Sequence, residues 1–116
     1  MSHAFARTLL DAQTTDEDSV EFAPAAGEKI PTNGYTHSIA WSSGVTSGVV
    51  EIEGAQEAGY AGTWAPIATV THSGSGSPKT EYVYSAAMFP VMRHRISTVV
   101  AGGSTPTVTT KISGSY

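Results

Sequence analysis

The stretch Pro90-Val-Met-Arg-His-Arg-Ile-Ser-Thr-Val99 alternates along its whole length and is framed by its proline and by Ala101-Gly-Gly103. Successive strand side chains face opposite ways. Met92, His94, Ile96 and Thr98 therefore share one face, and Val91, Arg93, Arg95, Ser97 and Val99 the other. The first face is apolar at its centre and belongs against a core. The second carries two arginines two positions apart in a chain with only 6 basic residues, so it is expected to meet acidic or polar groups. This is the longest expected strand of a β domain, and the neighbouring segments are read outward from it.

At 116 residues the chain is expected to form one domain that buries roughly 65% of its unfolded surface. With Cys 0 there is no disulfide framework, thiolate zinc site or thiol nucleophile. A formal charge of -4 argues against nucleic acid, because phosphate binding draws its affinity from a basic surface. No apolar run approaches the ~18 residues of a membrane helix. The start Met-Ser-His-Ala-Phe-Ala-Arg lacks the basic end and apolar stretch of a leader, so the expectation is no membrane and a chain that stays where it is made, in the host cytoplasm, until it assembles. Charged residues make up 14% against about 25% in ordinary soluble domains. Much of the surface is then neutral and small, which suits either a module packed on neighbours or a Thr-rich solvated sheet.

In chain order, Ala6 to Ala12 is read as a strand, although Leu9 and Leu10 are adjacent and leave a helical turn open. An acidic turn over Thr14 to Ser19 follows. Val20 to Ala23 is read as a short strand with Val20 and Phe22 inward, ended by Pro24. Ala25 to Gly34 reads as a loop closing in an Asn33-Gly34 turn. Tyr35 to Trp41 sets large Tyr35, His37, Ile39 and Trp41 against small Thr36, Ser38 and Ala40. A turn over Ser42 to Gly48 leads to Val49 to Glu53, with Val50 and Ile52 inward. After a glycine-bearing loop from Gly54 to Gly62, Trp64 to Thr71 resumes extended structure, and Pro66 places it at a sheet edge because it has no N–H for a ladder. His72 to Pro78 is a Gly/Ser tract, flexible by composition. Lys79 to Ser85 is the next strand, with Tyr82 and Tyr84 on one face, and Thr105 to Ser113 closes the chain with Val108 and Ile112 inward. Seven or eight short strands with turns between them predict an all-β antiparallel sandwich, jelly-roll-like. Residues 1–12 form an arm or first strand, and 13–116 the single sandwich domain.

The chemistry-bearing residues point away from catalysis. His3, His37, His72 and His94 show neither i, i+2 strand spacing nor i, i+4 helix spacing, so no metal site and no cofactor is expected; His94, between Met92 and Ile96, is read as a hydrogen-bonded imidazole of the interior. Asp16-Glu-Asp18 with Glu21 lacks the spaced ligands and central glycine of a calcium loop. Ser73-Gly-Ser-Gly-Ser77 lies in a flexible tract that holds no nucleophile in place, and it has no Gly-Lys-Ser/Thr ending for phosphate. The chain is read as not an enzyme. Tyr60 and Trp64 could form an aromatic platform for a glycan, with a core tryptophan as the other reading.

The segment Val49-Val-Glu-Ile-Glu-Gly-Ala-Gln56, then Ala61-Gly-Thr-Trp-Ala-Pro-Ile-Ala-Thr-Val-Thr71, resembles a pattern of small tailed-bacteriophage virion proteins: strand, glycine-bearing loop, Thr-Trp, strand. Phe89-Pro-Val-Met-Arg-His-Arg-Ile96 resembles their aromatic strand with alternating arginines, and Gly102-Gly103 with Thr107 to Gly114 their closing strand. The likeness covers about residues 35 to 114. It departs at Gln56-Glu-Ala-Gly-Tyr60, where many relatives carry an Asn-Asp-Gly turn. The resemblance implies a capsid decoration, or cement, protein: a structural virion protein on the outer capsid surface that bridges neighbouring subunits of the phage major capsid protein. Tail or fibre components and host-facing carbohydrate-binding modules are the alternatives.

Three expectations about contacts follow. Pro66 and Pro106 mark two sheet edges that need cover, which points to a homo-oligomer, a dimer or trimer. Residues 1 to 6, with Phe5, form an arm that orders on a neighbouring subunit, while Leu9 and Leu10 belong to the sandwich. Arg93 and Arg95 contact either the capsid or, internally, Glu51, Glu53 or Glu81, with the internal pairs favoured because one sheet face brings these chains together.

Overall fold

The computed structural model describes residues 4–15, 18–23, 34–74, 76–86, 89–103 and 105–115. Seven strands run in chain order: β1 (Ala4–Gln13), β2 (Tyr35–Trp41), β3 (Val45–Ala55), β4 (Ala65–Ser73), β5 (Lys79–Ser85), β6 (Val91–Gly102) and β7 (Val108–Ser115). They form two antiparallel sheets, β1-β7-β2-β5 (sheet A) and β4-β3-β6 (sheet B). Segment 18–22 runs antiparallel along the open side of β6, through bridges Asp18 to Arg95 and Phe22 to Met92. Its Ser19 N–H donates to the His94 carbonyl at 2.8 Å, and Phe22 and Met92 exchange bonds of 2.8 and 2.9 Å. Counted as an eighth strand, it completes sheet B. The chain then changes sheet at every connection except β3 to β4, which is the wrap of a jelly roll.

The inward positions are those that alternation demands. Along β2, Tyr35, His37, Ile39 and Trp41 are buried and the three residues between them are half-buried. Val50, Ile52, Met92 and Ile96 of sheet B meet them across the interior, and Val108 and Ile112 flank them on β7, in the same sheet as β2. Each such side chain contributes about 1.5–3 kcal/mol when fully buried, so the apolar alternation drives the two sheets together. Phe5, Phe22 and Tyr35 close one end. Phe5 stacks on Phe22 with centroids 5.2 Å apart, and Phe22 meets Tyr35 edge-on at 5.5 Å.

Several expectations are corrected. The turn expected over Ser42 to Gly48 is shorter, because Gly44, with φ of 92°, reverses the chain at once and β3 starts at Val45. Gly48 then lies inside the strand against Trp41, where a Cβ would stand 2.9 Å from the indole. Pro106 precedes β7, and β7 lies between β1 and β2, so the terminal strand is not an edge. Pro66 does sit on edge strand β4, beside a register shift opposite Ile52 and Glu53. Val20, expected inward, is 65% exposed. It follows Ser19, whose N–H and Oγ both bond to β6, and the isolated bridges do not hold a regular pleat between them. His72, expected in a flexible tract, belongs to β4 and is buried.

Candidate functional site

The arginines of β6 and the glutamates of β3 meet on the outer face of sheet B. Register pairs Glu53 with Arg93 and Glu51 with Arg95, so alternation on both strands brings all four to one face. Arg93 Nε donates to Glu53 Oε1 at 3.0 Å, and its Nη1 to Asp18 Oδ2 at 3.1 Å. Arg95 reaches both oxygens of Glu53, at 3.1 to 3.2 Å, and Glu51 Oε2 at 3.3 Å. Thr69 of β4 donates to the other oxygen of Glu51 at 2.7 Å. Glu53 is only 7% exposed. A carboxylate so buried costs several kcal/mol if unpaired, and here two guanidinium forks hold it. The expected internal pairing with Glu51 and Glu53 is what these arginines make; Glu81 instead accepts from Trp41 Nε1 at 2.8 Å and pairs with Lys79.

The expected aromatic platform takes a different form. Trp64 is 4% exposed and packs with Ala55 and Val91. The guanidinium of Arg93 lies 4.1 Å from its ring centroid, a cation–π contact. Its Nε1–H donates to the Tyr60 carbonyl at 3.0 Å. Trp64 thus covers the charged ladder and presents no open ring to a sugar, while Tyr60 remains 40% exposed beside it. The loop carrying both is tied down again where Gly59 N–H donates to Glu21 Oε1 at 2.8 Å.

Phe5, expected on an arm reaching a neighbour, lies on β1 and packs against Phe22 and Tyr35 of its own chain. β1 pairs with β7 from Ala4 onward, so residues 4–6 are strand rather than arm. Residues 1–3 lie outside the described residues, as does His3.

A buried polar chain joins the two sheets. His37 of β2 and His94 of β6 meet in the interior, both 0% exposed, with His37 Nδ1 and His94 Nε2 2.8 Å apart. His37 Nε2 contacts Ser85 Oγ at 2.7 Å, and His94 Nδ1 contacts Thr110 Oγ1 at 2.7 Å. Thr110 Oγ1 also accepts from the Leu10 N–H at 3.2 Å. That last bond sets the direction, since Thr110 then donates its own hydrogen to His94 Nδ1. Both imidazoles therefore carry their proton on Nε2, His94 donating to His37 and His37 to Ser85. In the opposite direction Thr110 would accept twice and keep a buried hydrogen without an acceptor. Burial lowers His37 to about 4; burial, with His37 beside it, lowers His94 to about 3. The pair is neutral at pH 7. Every ring nitrogen is engaged, so it has no lone pair to offer an ion, and among the described residues no group of three or more His, Cys, Asp or Glu could hold a metal.

The outer face of sheet A differs in kind. Alternation turns Thr36, Ser38 and Ala40 of β2, Thr109, Lys111 and Ser113 of β7, and Thr80, Tyr82 and Tyr84 of β5 outward. Lys111 is the one charge among these nine. Small side chains at the centre leave a shallow trough of about 380 Å³. Tyr82 and Tyr84 stand beside it, 61% and 78% exposed. The sequence displayed this face as the small side of Tyr35 to Trp41, but its extent depends on which strands lie next to β2.

No protein-family model matches the chain, and no curated protein or solved structure matches it.

Proposed function

We propose that this protein is a structural, non-enzymatic module of a tailed-phage virion that docks on the outer surface of the capsid and bridges neighbouring major capsid subunits. The observation that carries the reading is the outer face of β2, β5 and β7 in sheet A, where nine residues present small hydroxyl and methyl groups, two exposed tyrosines and the one charge of Lys111. Such a face loses little side-chain entropy when covered, because Ser, Thr and Ala have few rotamers to give up. Tyrosine supplies large contact area with a polar tip, the chemistry that recurs at protein interfaces. The jelly-roll wrap is compatible with this role but hosts many others, and the resemblance of the segments from Val49 to Thr71 and from Phe89 to Ile96 to phage virion proteins favours the virion among them. Repetition over a shell lets individually weak contacts hold by multivalency.

The test is to mix the purified protein with expanded, undecorated phage capsids and count bound copies by electron microscopy. Saturable binding at a copy number set by the capsid's symmetry is the expected result. Binding to tail tubes or to glycan arrays with none to capsids overturns it in favour of a tail, fibre or sugar-binding role.

A further inference from the structure

The sandwich has four lateral edges, and three of them are guarded. β6 is lined by segment 18–22 and by Thr14, whose carbonyl accepts from the Val100 N–H at 2.9 Å. β1 is broken by register shifts between Thr8 and Leu10 and between Leu10 and Gln13. β4 carries Pro66 and the register shift beside it. Charges, prolines, bulges and covering segments are how sheets prevent unwanted pairing. β5 has none of the last three among the described residues: its register with β2 runs unbroken from Lys79 to Trp41 through Ser85 to Tyr35, with no proline inside the strand. Among the described residues its other side has no neighbour in the sheet, so that row of backbone N–H and C=O groups is open to an added strand.

We propose that β5 pairs with β5 of a second copy of this chain, antiparallel about a two-fold axis, joining two four-stranded A sheets into one of eight strands. The strand is self-complementary. Full overlap of Lys79–Ser85 with its copy puts Tyr82 on the axis, Lys79 opposite Ser85, Thr80 opposite Tyr84 and Glu81 opposite Val83. No like charges oppose one another, which would disfavour the pair. Tyr82 and Tyr84, the exposed aromatics of the strand, become cross-strand neighbours of Tyr82 and Thr80 of the copy. Aromatic and aromatic–β-branched pairs are among the stabilising cross-strand combinations. The two-fold operator is the commonest symmetry of homo-oligomers. The pairing also joins the two neutral troughs into one surface. It stands on the edge geometry and does not depend on the capsid reading.

Sedimentation of the native protein should give a dimer. Because the chain has Cys 0, Tyr82→Cys introduces a single thiol. On the axis its Cα lies about 4.5–5.5 Å from its copy, within disulfide reach, so mild oxidation should convert most chains to covalent dimers, while Thr69→Cys on β4 stays monomeric under the same treatment. Tyr82→Lys and Tyr82→Glu should each sediment as monomers, and mixing them should restore the dimer. A native monomer, equal cross-linking of the Tyr82 and Thr69 variants, or no recovery on mixing overturns the proposal. Capsid binding can succeed or fail independently of each of these results.

Discussion

The two outer faces of the sandwich share backbone geometry and differ in what their side chains are doing. On sheet B, Glu51, Glu53, Arg93 and Arg95 satisfy one another, and Trp64 lies over Arg93. On sheet A the same alternation displays Thr, Ser, Ala and two exposed tyrosines with little bonding between side chains. A charged face so thoroughly cross-linked has spent its hydrogen-bonding capacity internally, and a partner would have to break those bonds to use it. The neutral face has much less to break: Ser113 Oγ donates to the Thr36 carbonyl and Thr109 Oγ1 accepts from the Ala12 N–H, both bonds to backbone. Charge in a sequence is commonly taken as the sign of a binding surface; in this molecule the charged ladder secures structure, and the small-residue face is the one we propose for a partner.

Four experiments would break or sharpen that contrast. The largest effect is expected at the ladder. Arg93→Ala removes the bonds to Glu53 and Asp18 and the cover on Trp64; Arg95 still pairs Glu53, so the cost is that of a charge-assisted hydrogen bond and a cation–π contact, together about 2–4 kcal/mol. Chemical denaturation should show that loss, while capsid docking measured well below the melting temperature persists. Loss of docking at unchanged stability would move the binding face to sheet B.

Acid acts between the faces, on the histidine pair. His37 and His94 are held near about 4 and about 3, whereas an unfolded histidine titrates near about 6.5. Below that value the unfolded chain binds more protons than the folded one, so stability is full above pH ~6.5 and declines as pH falls toward ~4. Complete titration of His37 alone amounts to about 3 kcal/mol. Urea midpoints should fall across this interval. His94→Gln should flatten the dependence even though it lowers stability at neutral pH, and an unchanged slope would remove the pair as its cause.

Ser38→Arg places a long charged chain in the middle of the trough. The position faces outward, so stability should change by no more than about 0.5 kcal/mol, while capsid docking falls at least tenfold. Retained docking would rule out sheet A as the contact. The smallest effect concerns salt: with Lys111 the one charge among the outward residues of β2, β5 and β7, docking affinity should vary less than about threefold between about 50 and 500 mM NaCl, since screening acts on charges. A steep dependence would implicate the sheet B face.

Much of this architecture was legible because period-two alternation is local. The inward sides of Tyr35 to Trp41, Val49 to Glu53 and Pro90 to Ile96 followed from side-chain size and polarity alone, and the proline of β4 named an edge. The candidate face was half legible. Thr36, Ser38 and Ala40 are visibly small in the sequence, but their neighbours Thr109, Lys111 and Ser113 lie some seventy positions away along the chain, and no local pattern orders strands in a sheet. The glycan platform at Trp64 failed for a related reason, since the guanidinium that covers its ring comes from a different strand.

The histidines divide the two kinds of knowledge most sharply. Their own neighbours in sequence, Tyr35 and Ile39 around His37 and Met92 and Ile96 around His94, already turned each ring inward. That the rings meet, and that Thr110 and Ser85 satisfy their far nitrogens, depended on β2 and β6 facing each other from opposite sheets. The sequence by itself determined an all-β chain, which side of most strands is buried, and that Arg93 and Arg95 share a face with each other. Only the tertiary structure decided that β7 is central, that β5 is an edge with no neighbour among the described residues, that segment 18–22 completes sheet B and that one outer face pairs its charges internally while the other presents small neutral side chains. The reason is physical: the orientation of a side chain on a strand is set by adjacent backbone dihedrals, whereas its neighbours are set by chain crossings between the sheets, whose free energy is distributed over the whole core.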